Sequence, residues 1–232
     1  MSPNVGNEQP EIMSVGPGFD VRVVLFTVMD DALWVGLVDG AYAPRLPVGA
    51  ATAGETLDAA AARILAEQMN VSEQYLEQLY SLSQLDHLGW IVSISYLAVA
   101  LPDQVEFRAG TAWYDVSRMP PLQQLDQRFV EYAVTRLRAK LGYTTIAFHL
   151  LPPEFTMSEL QNVYEVILGQ KLDKRNFRRR VQGAGLLEPT GSQRREGSHR
   201  PAQLYQFRAV HDPDTYLVPD WSVEWGEEAG TP

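Results

Sequence analysis

The residues with the plainest chemistry in this sequence are cations. Lys174, Arg175, Arg178 and Arg179 stand at i, i+1, i+4 and i+5, so a helix through them gathers all four on one broad face, with Phe177 and Val181 opposite. Guanidinium and ammonium groups held this way suit guanine edges and phosphates in the major groove of duplex DNA, and Asn176 among them suits adenine. Arg194, Arg195, His199 and Arg200 follow in a polar, Gly- and Arg-rich loop from Gly191 to Arg200, suited to phosphate or minor-groove contacts. The competing reading is a solvated helix face. It has to explain why so few carboxylates stand nearby, and why like charges recur at i,i+4, where they repel.

Net charge sharpens the contrast. The 232 residues sum to −10, which by itself argues against a polyanionic partner. Between Lys171 and Arg208, however, ten Lys and Arg face three carboxylates, a local surplus of seven that leaves the remainder at −17. A basic module joined to an acidic body is the expected result, because phosphate contacts draw on local charge. An apolar content of 45 % is enough for real cores. The absence of cysteine excludes disulfides and thiolate metal sites and fits a reducing compartment. Met1 to Gly18 lacks a basic-then-apolar signal pattern, and no apolar run reaches the roughly 18–20 residues that span a bilayer. A soluble cytoplasmic protein with no membrane contact is expected. His87, His149, His199 and His211 have no metal-ligand spacing with carboxylates, and neither a P-loop nor a nucleophile–base pair is legible, so no metal and no cofactor are expected.

Two segments must position these groups. After a disordered lead (1–18), Phe19 to Met29 and Leu33 to Val38 read as strands around an Asp30-Asp31 turn. Gly54 and Glu55 open an alanine-rich helix running to about Asn70, and Tyr75 to Leu85 is ambiguous. Trp90 to Leu101 and Thr111 to Val116 read as strands. Leu125 to about Lys140 is helical, with Phe129, Ala133, Arg136, Leu137 and Leu141 recurring at helical spacing. This predicts an α/β sandwich over 19–150. Leu151-Pro152-Pro153-Glu154 marks a boundary. Over 151–210, Thr156 to Glu159 forms a capping box, Leu160, Val163, Tyr164, Ile167 and Leu168 share a face, and Gly169 ends that helix. Asp173 caps the cationic helix, which Gly183 and Gly185 close. Leu186-Leu187 and Leu204 to Phe207 then pair as a hairpin. Helix, turn, helix, hairpin is a winged helix. An acidic tail (211–232) carries Trp221 and Trp225.

The run LPPEFTMSELQNVYEVILGQKLDKRNFRRRVQGAGLLEPTG, followed by GSHRPAQLYQF, closely resembles the carboxy-terminal module of the Nudix-related transcriptional regulators of NAD metabolism. The resemblance covers nearly all of Leu151 to Phe207. It implies a winged-helix DNA-binding domain in which Lys174, Arg175, Asn176, Arg178, Arg179, His199 and Arg200 face DNA.

The preceding body resembles the Nudix fold, an α/β/α sandwich. The Nudix box runs from a glycine through a glutamate to Arg-Glu-x-x-Glu-Glu-x-x-Gly, and Gly49, Glu55 and Arg63 stand at the required intervals. Of the helix carboxylates that gather divalent cations, only Glu67 remains. Ile64 and Gln68 replace the others, and the terminal glycine is lost. Hydrolysis is therefore not expected, though carboxylates returned at 64 and 68 would be expected to recover some metal binding. Arg45, Glu55, Arg63 and Glu67 are the expected pocket residues, with an Arg63–Glu67 i+4 pair as the structural alternative. The resemblance implies a homodimeric repressor on a pseudo-palindromic operator, controlled by ADP-ribose or a related nucleotide such as NAD. A regulator answering to a sugar phosphate or another ligand, and an active ADP-ribose pyrophosphatase, remain open on the sequence.

Overall fold

The computed structural model describes residues 18–72, 75–86, 89–106, 109–195 and 201–208. The expectations for the lead, for His87, His199, Arg200 and His211, and for the acidic tail with its tryptophans fall outside those residues.

Strands β1 (Gly18–Met29) and β2 (Ala32–Val38) form a hairpin closed by Asp30 and Asp31, with φ of 47° and 56°. Two consecutive left-handed residues make the turn whose twist matches the flanking strands. A two-residue strand, β3 (Val48–Gly49), pairs with the start of β1. The stretch that periodicity left ambiguous is a strand, β4 (Tyr75–Asp86), antiparallel to β5 (Gly89–Val99), which runs parallel to β1. With β6 (Thr111–Asp115) the sheet order is β4-β5-β1-β2-β6. β1 is apolar on both faces because helices cover both. Val21, Val23 and Leu25 face helix α1 (Leu57–Met69), whereas Val24, Phe26 and Val28 face helix α2 (Gln124–Leu141). The expected α/β/α sandwich is present.

α1 begins two residues later than expected. Gly54 holds φ +83° in the preceding loop, and the Thr56 side chain caps the helix by accepting from Ala59 N at 3.2 Å. In α2, Arg136 belongs to the exposed face rather than to the apolar repeat. Lys140 is buried instead, with Nζ 2.7 Å from Glu77 Oε2 and donating to the Tyr75 hydroxyl at 2.9 Å.

Beyond Leu151 come β7 (Phe155–Thr156), α3 (Met157–Leu168), α4 (Lys174–Gly183), β8 (Leu187–Arg194) and β9 (Ala202–Phe207), with strand order β7-β9-β8. This is the expected winged helix. The paired prolines do not separate its interior from the sandwich, because one buried cluster runs from Val24 and Phe129 through Leu150, Phe155 and Ile167 to Phe177. Phe148 stacks on Phe207 at 4.4 Å and touches Phe155 at 5.8 Å between ring centroids. Two polar bonds reinforce the seam. Arg138 Nε donates to Ile167 O (2.9 Å), and Asn162 Nδ2 donates to Asp31 Oδ1 (2.9 Å). Among the described residues no helix is long and apolar enough to cross a membrane.

One buried ion pair fixes the loop that carries Arg45. Asp126, fully buried in the first turn of α2, accepts from Arg22 Nη1 (2.5 Å) and from Leu46 N (3.0 Å), while Arg22 also grips Asp20. Removing one partner of such a pair strands the other in low dielectric. Asp126→Ala should therefore lower unfolding stability by about 3–5 kcal/mol in denaturant titration. A loss under about 1 kcal/mol would show that Asp20 alone satisfies Arg22.

Candidate functional site

The cationic helix is aimed by the turn before it. The α3 capping box forms as read, with Thr156 Oγ1 accepting from Glu159 N (3.1 Å) and Glu159 Oε2 accepting from Thr156 N (2.6 Å). Gly169 ends α3 with φ +72°. Glu165 then gathers the turn: its carboxylate accepts from Lys171 Nζ (2.7 Å), Leu172 N (3.1 Å) and Gln161 Nε2 (2.8 Å). Partial desolvation opposes ionisation of Glu165, but these donors outweigh it and hold its pKa below the usual carboxylate range. Asp173 caps α4 by accepting from Asn176 N (2.8 Å), and the buried Phe177 meets Tyr164 edge-on at 5.3 Å.

On the outer side of α4, Lys174, Arg175, Asn176 and Arg179 are exposed and Arg178 is half-buried, with Phe177 and Val181 inside as expected. No carboxylate pairs with Lys174, Arg175, Arg178 or Arg179 among the described residues. Arg179 Nη2 donates to Asn176 Oδ1 (3.2 Å), and the buried Nε of Arg178 has no hydrogen-bond partner among the described residues. Other members of the cationic count are spent on structure. Lys171 holds Glu165, Arg208 holds Glu188 (2.6 Å), and Arg194 bonds Glu159 Oε1 (2.7 Å) and Glu154 O (3.1 Å), tying the wing to the head of α3. Arg195 is exposed. Sequence reading missed the groove beside α4, about 470 Å³, in which Ser158, Gln182, Gln203 and Tyr205 stand with Lys174 and Arg178. The only sequence signal for it was Ser158, a hydroxyl in the first turn of a capped helix.

In the sandwich, the structure brings Glu55, Arg63 and Glu67 together. Arg63 meets Glu55 in a two-pronged bond (Nε–Oε1 2.8 Å, Nη2–Oε2 2.9 Å) and also donates to Ala50 O (2.9 Å). Its contact with Glu67 is longer, at 3.3 Å, so the main structural partner is Glu55 and not the i+4 residue. Glu55 further accepts from Thr52 N and Oγ1. Arg63 first, and then the Thr52 amide, hold the Glu55 carboxyl down at about 2. Arg45 makes none of these contacts. It is exposed, and its backbone pairs with Val38 through bonds of 2.9 Å.

The two departures from the box are built into the packing. Ile64 is fully buried, and a Cβ added to Gly49 would sit 3.1 Å from its Cγ1, so helix and strand touch at a glycine. Gln68 uses both ends of its amide on Val48: Nε2 donates to Val48 O (2.8 Å) and Oε1 accepts from Val48 N (3.2 Å). A glutamate at 68 would meet the Val48 carbonyl with a second acceptor, and one at 64 would bury a charge. Returning carboxylates here would break these existing contacts. Among the described residues no cluster of three or more His, Asp or Glu is placed to hold a metal.

Comparison with known proteins agrees with this geometry. Residues 147–207 match the family model of the NrtR DNA-binding winged helix domain. The chain is 33% identical over 216 residues to the ADPR responsive transcriptional repressor NtrR of Acinetobacter baylyi, which takes in 85% of this chain and 84% of that protein. It is similar to the crystal structure of Shewanella oneidensis NrtR complexed with a 27mer DNA, with TM-score 0.75, 33% identity, 82% of this chain and 93% of that chain covered. A MutT/nudix family protein from Enterococcus faecalis shares the fold, with TM-score 0.65, 21% identity, and 83% and 87% of the two chains covered. The chain belongs to the NrtR family of Nudix-related transcriptional regulators.

Proposed function

We propose that this protein is a homodimeric transcriptional repressor of genes for NAD synthesis or salvage, released or retained by ADP-ribose or a related nucleotide bound in its Nudix domain. The sensing domain spans 19–150 and the DNA-binding domain 151–210, between the lead and the acidic tail, and the protein works in the cytoplasm. The observation that carries the reading is α4, where four cations and Asn176 stand on a capped, buried-backed helix with no carboxylate countering them among the described residues. Lys174, Arg175, Asn176, Arg178 and Arg179 read the operator, and Arg195, His199 and Arg200 approach phosphates or the minor groove. Arg194 serves the same surface by anchoring the wing. A pseudo-palindromic operator follows from twofold symmetry. Glu55, Arg63, Glu67 and Arg45 border the nucleotide pocket.

The Nudix domain binds without hydrolysing. Gln68 and Ile64 support this, since both serve packing where the box needs metal-binding oxygen. Control of DNA affinity requires that the nucleotide bind the DNA-competent and incompetent dimers unequally, typically by about 1–3 kcal/mol.

Three outcomes test the reading. Arg175→Ala with Arg179→Ala should abolish specific operator binding in mobility-shift assays while circular dichroism stays unchanged. Each lost base-directed arginine costs about 1–3 kcal/mol, and unaltered shifts would remove α4 from the interface. Calorimetric titration should show ADP-ribose binding in preference to sugar phosphates, with no Mg²⁺-dependent release of ribose phosphate. Brisk turnover would mean the box is active. Finally, Gln68→Glu should destabilise the fold by about 1–3 kcal/mol and gain no Mg²⁺ affinity, and a tight Mg²⁺ site in that variant would reverse the assignment.

A further inference from the structure

We propose that the acidic segment following Arg208, residues 209–232, binds the cationic face of α4 on its own chain and competes there with DNA. The inference rests on α4 as the DNA-facing helix of the proposed function and adds a regulation of that same site.

α4 presents cations without counter-charge among the described residues. Lys174, Arg175 and Arg179 are exposed, and no carboxylate there pairs with them or with Arg178. They stand at i, i+1, i+4 and i+5, where like charges repel. The buried Nε of Arg178 has no hydrogen-bond partner among those residues, and a buried donor left unmade is unfavourable until an acceptor reaches it. Beside it lies the groove of about 470 Å³, lined by Ser158, Lys174, Arg178 and Tyr205, all of them hydrogen-bond donors. Such a face takes anionic oxygen, from a carboxylate as well as from a phosphate.

The chain itself supplies the carboxylates. Asp212, Asp214, Asp220, Glu224, Glu227 and Glu228 fall within 209–232, which holds no Lys or Arg. With +7 over 171–208 and −6 over 209–232, the total of −10 leaves −11 on residues 1–170. The body therefore repels this segment, and the surplus on the small domain attracts it and nearly matches it. Trp221 and Trp225 add aromatic faces on which guanidinium groups stack, so the segment suits arginine in particular.

Position makes the encounter intramolecular. Arg208 N donates to Leu186 O (2.8 Å), and Leu186 stands just past the end of α4 at Gly183. α4 has ten residues and is about 15 Å long. The residues from 209 to 232 can reach at most roughly 80 Å, so every cation of α4 is within range. A partner on the same chain acts at an effective concentration on the order of 1 mM, and one with a Kd of about 0.1 mM then lowers the apparent DNA affinity about tenfold.

The test uses the full chain in two forms, the natural one and one with Asp212→Asn, Asp214→Asn, Asp220→Asn, Glu224→Gln, Glu227→Gln and Glu228→Gln together. Fluorescence anisotropy with a labelled duplex of random sequence should show the variant binding about tenfold more tightly at low salt, with the gap narrowing as salt rises. Carbodiimide, applied to the natural chain without DNA, joins a lysine amine to a carboxylate in contact with it. Mass spectrometry of the digest should find Lys174 joined to a carboxylate of 209–232, and excess duplex should abolish that link. This second measurement needs no variant, and it separates contact from a general effect of net charge, which would alter affinity without the link. Equal affinities for the two forms, Lys174 coupled to no carboxylate of 209–232, or a link indifferent to duplex would each overturn the proposal. Operator binding by Arg175→Ala with Arg179→Ala is measured apart from these, so α4 can stand as the DNA-facing helix when this competition falls.

Discussion

The structure depends on one apolar seam. Phe148, between the sandwich and the winged helix, stacks on Phe207 and touches Phe155, and the cluster it joins reaches from the central strand to α4. Interiors of this density transmit displacement because they have no slack. α4 is thus mechanically referred to the sheet: Phe177 rests on Tyr164, and α3, which carries Tyr164, is held to α2 by Arg138 and to the β1–β2 turn by Asn162. Here shared packing connects the sandwich to α3 and α4 without a break.

Electrostatics divides the small domain into fastened and unfastened cations. Lys171, Arg194 and Arg208 each meet a carboxylate and shape the turn, the wing root and the hairpin. Among the described residues Lys174, Arg175, Arg178 and Arg179 do not, and their mutual repulsion costs α4 a few tenths of a kcal/mol per pair. The Asp173 cap and the burial of Phe177 and Val181 offset that cost. A local rule broken where the fold can bear it is the ordinary mark of a functional surface.

Much of this was legible in the sequence, and the limits have physical reasons. Period and caps placed β1, β2, α2, α3 and α4 within a residue or two, because burial patterns and capping chemistry are local. β4 escaped because an edge strand half exposed on both faces does not alternate cleanly. Asp126 escaped for a different cause: a fully buried carboxylate in a first turn looks like any helix-favouring acid until Arg22, 104 positions away, closes on it. The exposed, cationic face of α4 lies where spacing placed it, with Phe177 and Val181 inside. Which cations were already occupied was not legible, since Glu159 and Glu165 reach their partners through the fold. In the box, the letters showed that carboxylates were missing, and only packing shows what stands in their place.

That last point bears on how such a domain can change over time. An amide at 68 mirrors the backbone of Val48, and an isoleucine at 64 is seated against Gly49, so both positions are tied into the packing between α1 and β3. A change at either position therefore disturbs a neighbouring strand as well as the helix that carries it.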